Sequence, residues 1–330
     1  MAPKRIFFTG ASGCIGHYIA ETLIDETDCE LFLLVRDRRK LKFDCNARPG
    51  IKVIEADLRE IERFAALLKT IDVAILAANA WGGPQEVFDV NVVKTIRLLN
   101  LLDPQVCEQA IYFSTASILD RDNRLLKQAS EIGTDYIRSK YDCLTQLPRL
   151  AIAPKLTVLF PTLVFGGGPN KPISHLSSGI PTVVKWAGIA RWLKVDASFH
   201  FLHAKDIAQI VRHLITTPPP PNPVAAAIDD ILLKQLVLGN PALTANQLVR
   251  ASCQYLGKRV YWQMPISSWL ADVIIKIFDI QMAPWDRFCM QYRHFTYRDP
   301  VSPATYGLVP YCATIADVLR ASGVPEKRRH

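Results

Sequence analysis

The chain has 330 residues, 49% of them hydrophobic and 21% charged, and its 39 Lys and Arg outnumber 31 Asp and Glu for a net charge of +8. This balance excludes a disordered chain, a collagen-like repeat and a coiled coil. The length suits one large α/β domain or a core with a smaller lobe. The positive excess leaves three partners to weigh: nucleic acid, a membrane surface or an anionic small ligand.

Short apolar runs at 5–8, 31–35, 52–54, 73–77, 110–114 and 156–160 read as strands. They are continuous rather than alternating, as strands buried on both faces are. Between them, 14–24, 61–68 and 90–102 carry apolar residues at helical spacing. The alternation predicts a Rossmann-type, doubly wound parallel sheet with helices on both faces. After residue 160 the texture changes. Residues 166–169 read as a loop, 204–217 as a helix and the Pro-rich 218–223 as a surface loop. A strand at 235–238, a helix at 244–255 capped by Thr244 and a strand at 259–262 follow. Residues 265–295 hold Trp269, Val273, Ile277, Phe278, Trp285 and Phe288 at helical spacing, and 314–321 reads as a last helix. The expected organisation is a dinucleotide-binding core over 1–165 and a mainly substrate-binding α/β lobe over 166–330, with some segments returning to the core.

The eight cysteines are scattered without a C-x-x-C pair, which reads as free thiols in a reducing compartment. No signal peptide is visible, and the longest apolar runs fall short of the ~20 residues needed to span a bilayer. A cytoplasmic protein is expected, with the aromatic 265–295 region as the candidate for peripheral membrane contact. No metal site is expected: His17, His175, His200, His203 and His213 lack metal-like spacing with acids or cysteines. No interleaved basic and aromatic motif suggests nucleic acid.

The first strand runs into Gly10-Ala11-Ser12-Gly13-Cys14-Ile15-Gly16, a G-x-x-G-x-x-G spacing at a strand-to-helix junction. Glycines let the main chain approach a pyrophosphate, and the helix N-terminus offers unpaired N–H groups and partial positive charge. Gly10, Ser12, Gly13, Cys14, Ile15 and Gly16 are therefore candidate cofactor contacts. Arg36 stands at the end of the second strand, where an acid would bind the ribose hydroxyls of NAD. Its fork suits a 2′-phosphate, which favours NADP, while Asp37 keeps NAD as the alternative. Asp57, followed by Leu58, can accept the adenine amino group or cap the next helix.

Tyr136 and Lys140 form the only Y-x-x-x-K in the chain. On a helix they share a face. A nearby ammonium, with a cationic nicotinamide beside it, is expected to pull the phenol pKa down and make Tyr136 a general acid–base for a carbonyl–alcohol pair. Ser114, Thr115 and Ser117 end the fifth strand, where ligands bind in such sheets. Their hydroxyls can hold a substrate oxygen or simply cap the strand end.

Together these residues resemble the extended branch of the short-chain dehydrogenase/reductase superfamily, the NAD(P)-dependent epimerase/dehydratase-like proteins. The resemblance is strongest over 5–215. It further implies that Leu76-Ala77-Ala78 lies beside the cofactor, with Ala77 and Ala78 as contacts, and that Asn91 is structural near the active-site helix. Thr115, Tyr136 and Lys140 fall at the catalytic positions. Pro161, Thr162, Leu163 and Val164 fall where the family lines the nicotinamide, and His203 with Asp206 matches a substrate-lobe signature. Leu119-Asp120 and Phe160 depart from a frequent Tyr-Gly and Arg. With the apolar carboxyl-terminal part, they tilt the reading toward an NADP-dependent oxidoreductase acting on a hydrophobic carbonyl or alcohol. The alternatives are an NAD-dependent sugar-nucleotide epimerase or dehydratase, and a non-catalytic NADP-sensing or assembly protein. The resemblance also implies a homodimer through helices near 86–102 and 131–149.

Overall fold

The computed structural model describes residues 2–217, 226–228, 231–265 and 283–327. Strands β1 (Arg5–Thr9), β2 (Glu30–Val35), β3 (Ile51–Glu55), β4 (Val73–Leu76), β5 (Gln109–Phe113) and β6 (Leu156–Pro161) lie in one sheet. Its order is β3-β2-β1-β4-β5-β6, and all these pairs are parallel. The chain returns after the lobe to extend it. The short parallel pair β7 (Leu163–Phe165) and β8 (Phe201–His203) intervenes. Then β10 (Ile231–Leu238) adds parallel to β6, and β9 (Ala226–Ile228) pairs antiparallel at the edge.

The two faces of each strand go to different cores, as the pleat requires. Phe7, Phe32, Leu34, Tyr112 and Phe160 face one core, and Ile6, Phe8, Leu31, Leu33 and Phe113 face the other. Helix α1 (Cys14–Glu26) and helix α5 (Ala204–Thr216) pack together on the second face. The first face is covered by a continuous rod, α2, made of Pro84–Phe88, a π-helical turn Asp89–Lys94 and Thr95–Leu101. Beside it lies α3 (Asp135–Gln146). A third core holds the lobe, where α4 (Ile180–Ala190), α6 (Ala245–Tyr255) and α8 (Ile315–Ala321) meet around Ala187, Cys253, Cys312 and Val318. Helix α7 (Pro284–Tyr292) sends Trp285 and Phe288 into the first core, so these two aromatics of the 265–295 region face inward. The Pro-rich 218–223 and the residues Trp269, Val273, Ile277 and Phe278 lie outside the described residues.

Several elements differ from their sequence reading. Residues 58–64 tighten into a 3-10 turn, Leu58–Phe64, before a short α-turn, Ala65–Leu68. Asp57 caps this segment, and Glu60 breaks the helical dihedrals. The helix expected from 90 is π-wound at its start, a one-residue bulge that brings Asn91 to its partners. The strand expected at 259–262 lies instead at Met264–Pro265, which pairs with Leu193–Lys194. Helix α4 was not anticipated, because its apolar residues are not confined to one stripe: Ile180 and Ala187 are buried, while Val183, Trp186 and Ile189 are exposed. Among the described residues no helix is long and apolar enough to cross a membrane, and no His/Cys/Asp/Glu group could hold a metal ion.

Candidate active site

The glycines of the β1–α1 turn are required by contact. Gly10 has φ +91°, and a Cβ there would sit 2.5 Å from the Ala77 carbonyl carbon. A Cβ on Gly16 would sit 2.0 Å from the Gly10 oxygen. The turn is thus wedged between the start of α1 and the chain leaving β4, where the Ala77 N–H donates to the Thr9 carbonyl at 3.0 Å. Gly13 stands at the N-cap of α1 with no side chain to cap it, and the first turn holds no acid. The leading N–H groups of α1 are left without a capping side chain, which favours an anion. Ser12 lies in this turn, and Cys14 and Ile15 open the helix. Burial pushes the Cys14 thiol up to about 11. Its sulfur would lie 2.9 Å from a Cβ on Gly166, so the 166–168 loop closes directly over the turn.

Arg36 is exposed at the end of β2, with its guanidinium 3.7 Å from Glu86. Asp37 is taken up locally: it caps the turn Arg38–Lys40 and pairs with Arg39 at 2.9 Å. Asp57 is likewise gripped by the Arg59 fork at 2.9 and 3.0 Å, which holds its carboxyl below the usual range. Leu58 is buried in the first core. Ala77 and Ala78 follow β4, and Ala78 N–H reaches the Thr9 hydroxyl at 3.5 Å. Next in line, Asn79 Oδ1 is buried without a partner.

Helix α3 starts with Thr134 as cap and carries Tyr136 and Lys140. Lys140 is 1% exposed. Its ammonium donates to the Phe113 carbonyl at 2.7 Å and the Tyr112 hydroxyl at 3.3 Å, and burial pulls its pKa down to about 8. It lies 5.9 Å from the centre of the Tyr136 ring. The phenol of Tyr136 is pushed well above its ordinary range by burial. Desolvation of the phenol outweighs the Lys140 ammonium, which is itself buried and bonds to the backbone; the lowering expected from the sequence also counts on a cationic nicotinamide beside the pair. Trp81 contributes, stacking on Tyr136 at 4.0 Å and 21° while remaining 72% exposed. Nothing in the periodicity signals Trp81; its only mark in the sequence is a lone indole ahead of a Gly-Gly pair.

Thr115 caps the turn Ala116–Ile118 and donates to Ser117 Oγ at 3.3 Å. That turn packs against α3. Ser114 is buried at the strand end with its Oγ unpartnered. The buried Asn91 bonds both ways to the Ala80 backbone, at 2.8 and 3.3 Å, and donates to Ser139 Oγ at 3.1 Å. It therefore ties the chain after β4, just ahead of Trp81, to the helix of Tyr136. Pro161 ends β6, Leu163 and Val164 lie in β7, and the Thr162 hydroxyl donates to the Leu238 carbonyl at 2.8 Å. The sheet edge thus gathers the glycine turn, Ala77 and Ala78, and Ser114 and Thr115, with the α3 pair beside them.

The His203 and Asp206 pair is structural. His203 caps α5 by accepting the Lys205 N–H at 3.1 Å. The fully buried Asp206 accepts N–H groups of Tyr311 and Cys312 at 2.6 and 3.2 Å. It thereby staples the carboxyl-terminal segment to α5.

Solved structures share this fold at low identity. The crystal structure of gox2253 superposes with a TM-score of 0.66 at 20% identity, over 98% of this chain and 100% of that one. WbmG of Bordetella bronchiseptica in complex with NAD and UDP gives 0.64 at 15% identity, over 100% of this chain and 99% of that one. The dTDP-glucose 4,6-dehydratase of Bacillus anthracis in complex with NAD gives 0.61 at 13%, over 97% and 96%. No curated protein matches the chain. Residues 6–225 match the NAD dependent epimerase/dehydratase family, and since they make up most of the 330-residue chain, it belongs to that family.

Proposed function

We propose that the chain binds a nicotinamide dinucleotide across the carboxyl edge of its sheet and works at one oxygen-bearing carbon of a small substrate, with Tyr136 transferring the proton. The carrying observation is the α3 pair: Tyr136 over the buried Lys140, next to the Thr115 turn and across from a glycine turn whose helix lacks a side-chain cap. The edge fits the group chemically, because donors at the start of α1 lack capping and Ser114 Oγ and Asn79 Oδ1 are buried without partners. When bound, the dinucleotide supplies or accepts the hydride. Gly10, Ser12, Gly13, Cys14, Ile15 and Gly16 hold its pyrophosphate. Arg36, Asp57 and Leu58 hold the adenosine, Ala77, Ala78 and Pro161 to Val164 flank the nicotinamide, and Lys140 reaches the ribose. Residues 166–330 mainly shape the substrate side.

Burial alone keeps the Tyr136 phenol protonated, the form that would donate to a carbonyl oxygen oriented by Thr115. In the alcohol-to-carbonyl direction it needs the added positive charge of a cofactor to act as base. Eliminating water from a neighbouring carbon would require a second acid–base pair. Ala116 and Ser117 carry no carboxylate, and Asp120 accepts the Asp122 and Arg124 N–H groups on Oδ1. Epimerisation at the oxygen-bearing carbon asks for Tyr136 alone and is the simpler reading. Family membership and neighbours solved with NAD and UDP support a sugar nucleotide as substrate. A second reading, net NADP-dependent oxidation or reduction of an apolar carbonyl or alcohol, rests on Arg36 at the end of β2 and on Trp81 over Tyr136. Nucleotide released from the purified chain separates the two: retained oxidised NAD supports the epimerase, and exchangeable NADP supports net redox chemistry. In either case Tyr136→Phe should lower turnover by about 10²–10⁴ and leave dinucleotide binding intact. Unchanged turnover in that variant would overturn the role of Tyr136.

A further inference from the structure

The lobe carries an exposed face unrelated to the sheet edge. Trp186 and Ile189 on α4, Trp192 just after it, Tyr261 and Trp262 on the segment leading to the Met264–Pro265 strand, and Met264 itself are between 43% and 72% exposed. They form one surface because the two segments are joined. The Met264 N–H donates to the Trp192 carbonyl at 2.7 Å, and Met264 pairs with Leu193. Arg191 donates to the Arg259 carbonyl at 3.3 Å. A soluble chain does not usually leave three tryptophans and a tyrosine in one such patch, and contiguous exposed apolar area marks an interaction surface.

Charge selects the partner. Lys185, Lys194, Arg250 and Arg259 are exposed around the aromatics. Lys194 and Arg250 also line a groove of about 480 Å³ with Thr244, Asn246, Tyr261 and Trp262, and among the described residues lining it there is no carboxylate. A second copy of the chain packed on this face by a two-fold would set the basic rim against itself, since such contacts are self-complementary. An anionic bilayer meets both features at once. Indole and phenol rings settle at the headgroup level, and lysine and arginine are drawn to the negative surface. The groove gives a lipid phosphate two cations beside an apolar wall.

We propose that this face, built from α4, the turn through Lys194 and residues 258–264, docks the protein peripherally on an anionic lipid surface. The attachment is interfacial and places the lobe, not the glycine turn, against the membrane. The inference does not depend on the reaction catalysed.

The test is flotation of the full chain with vesicles of phosphatidylcholine alone and of phosphatidylcholine mixed with phosphatidylserine, read alongside tryptophan emission. The parent should float with the anionic vesicles only, shift its emission to the blue and detach as salt is raised. The pair Lys194→Gln and Arg250→Gln should bind about thirtyfold more weakly. The pair Trp186→Ser and Trp262→Ser should lose the blue shift and the flotation. All four side chains are exposed, so thermal melting should not move. Failure of the parent to float, equal flotation on both vesicle types, or variants that float like the parent would each overturn the proposal. So would a parent that is dimeric without lipid and becomes monomeric in the tryptophan variant, which would assign the face to a second copy.

Discussion

The sheet edge and the carboxyl-terminal lobe differ in how they pair their buried polar groups. In the lobe, α6 and α8 each begin with a reciprocal capping box, Thr244 with Gln247 and Thr314 with Asp317. The buried Asn240 donates to the Cys312 carbonyl at 2.9 Å, and His200 contacts the Asn240 carbonyl at 2.7 Å while accepting the Tyr297 N–H at 3.1 Å. At the sheet edge, α1 begins on a bare glycine and Ser114 and Asn79 keep unpartnered oxygens. Folding alone would select against the second arrangement, because a buried unmade hydrogen bond is costly. In the lobe α4 also starts on an uncapped glycine and Arg191 Nε is buried without a partner, so the contrast rests on the Ser114 and Asn79 oxygens at the edge.

Three substitutions probe that contrast, beginning with the largest effect. Gly10→Ala puts a Cβ 2.5 Å from the Ala77 backbone at a φ of +91°. It should cost about 2–4 kcal/mol of stability and abolish dinucleotide binding by calorimetry. Gly168→Ala is the control, since a Cβ there meets nothing within 4 Å. Equal loss in both variants would mean that the turn holds no ligand. Asp206→Asn attacks the satisfied region. The new amide faces the Tyr311 and Cys312 N–H groups with only one acceptor, which should cost about 2–3 kcal/mol in urea unfolding and leave dinucleotide affinity unchanged. A lost affinity would show that the two regions are not independent.

The parallel sheet was legible because its strands are buried on both faces and so appear as unbroken apolar runs. The glycine turn was legible because a tight turn under a helix leaves glycine no substitute at Gly10 and Gly16. What escaped depends on contacts distant in sequence. Asp206 was visible as part of a motif, but its partners lie about a hundred residues later and carry no local mark. Helix α4 escaped because its outward face is apolar, and Trp81 because one residue has no period. The Tyr–Lys spacing by itself does not lower the phenol pKa, for a different reason. Spacing shows that two groups share a helix face, whereas their ionisation depends on how much water each has lost.

The smallest expected effect isolates that last point. Lys140 titrates near 8 in the folded chain against an ordinary value of 10.5. Between those values the unfolded chain holds more protons, so stability rises with pH across the window; below about 8 the penalty for burying the ammonium is present in full. Lys140→Met keeps an unbranched chain of similar bulk and removes the charge. The stability of the parent, measured relative to this variant, should climb by about 2 kcal/mol between pH 7 and pH 9.5. Tyr136 does not disturb the comparison, because its folded phenol is pushed above its ordinary value of 10 and an unfolded phenol stays largely protonated below that value. Bound dinucleotide should flatten the slope if its ribose takes the ammonium as a partner, since a new acceptor favours the charged form. Parallel stability curves for parent and variant without ligand would mean that water reaches Lys140.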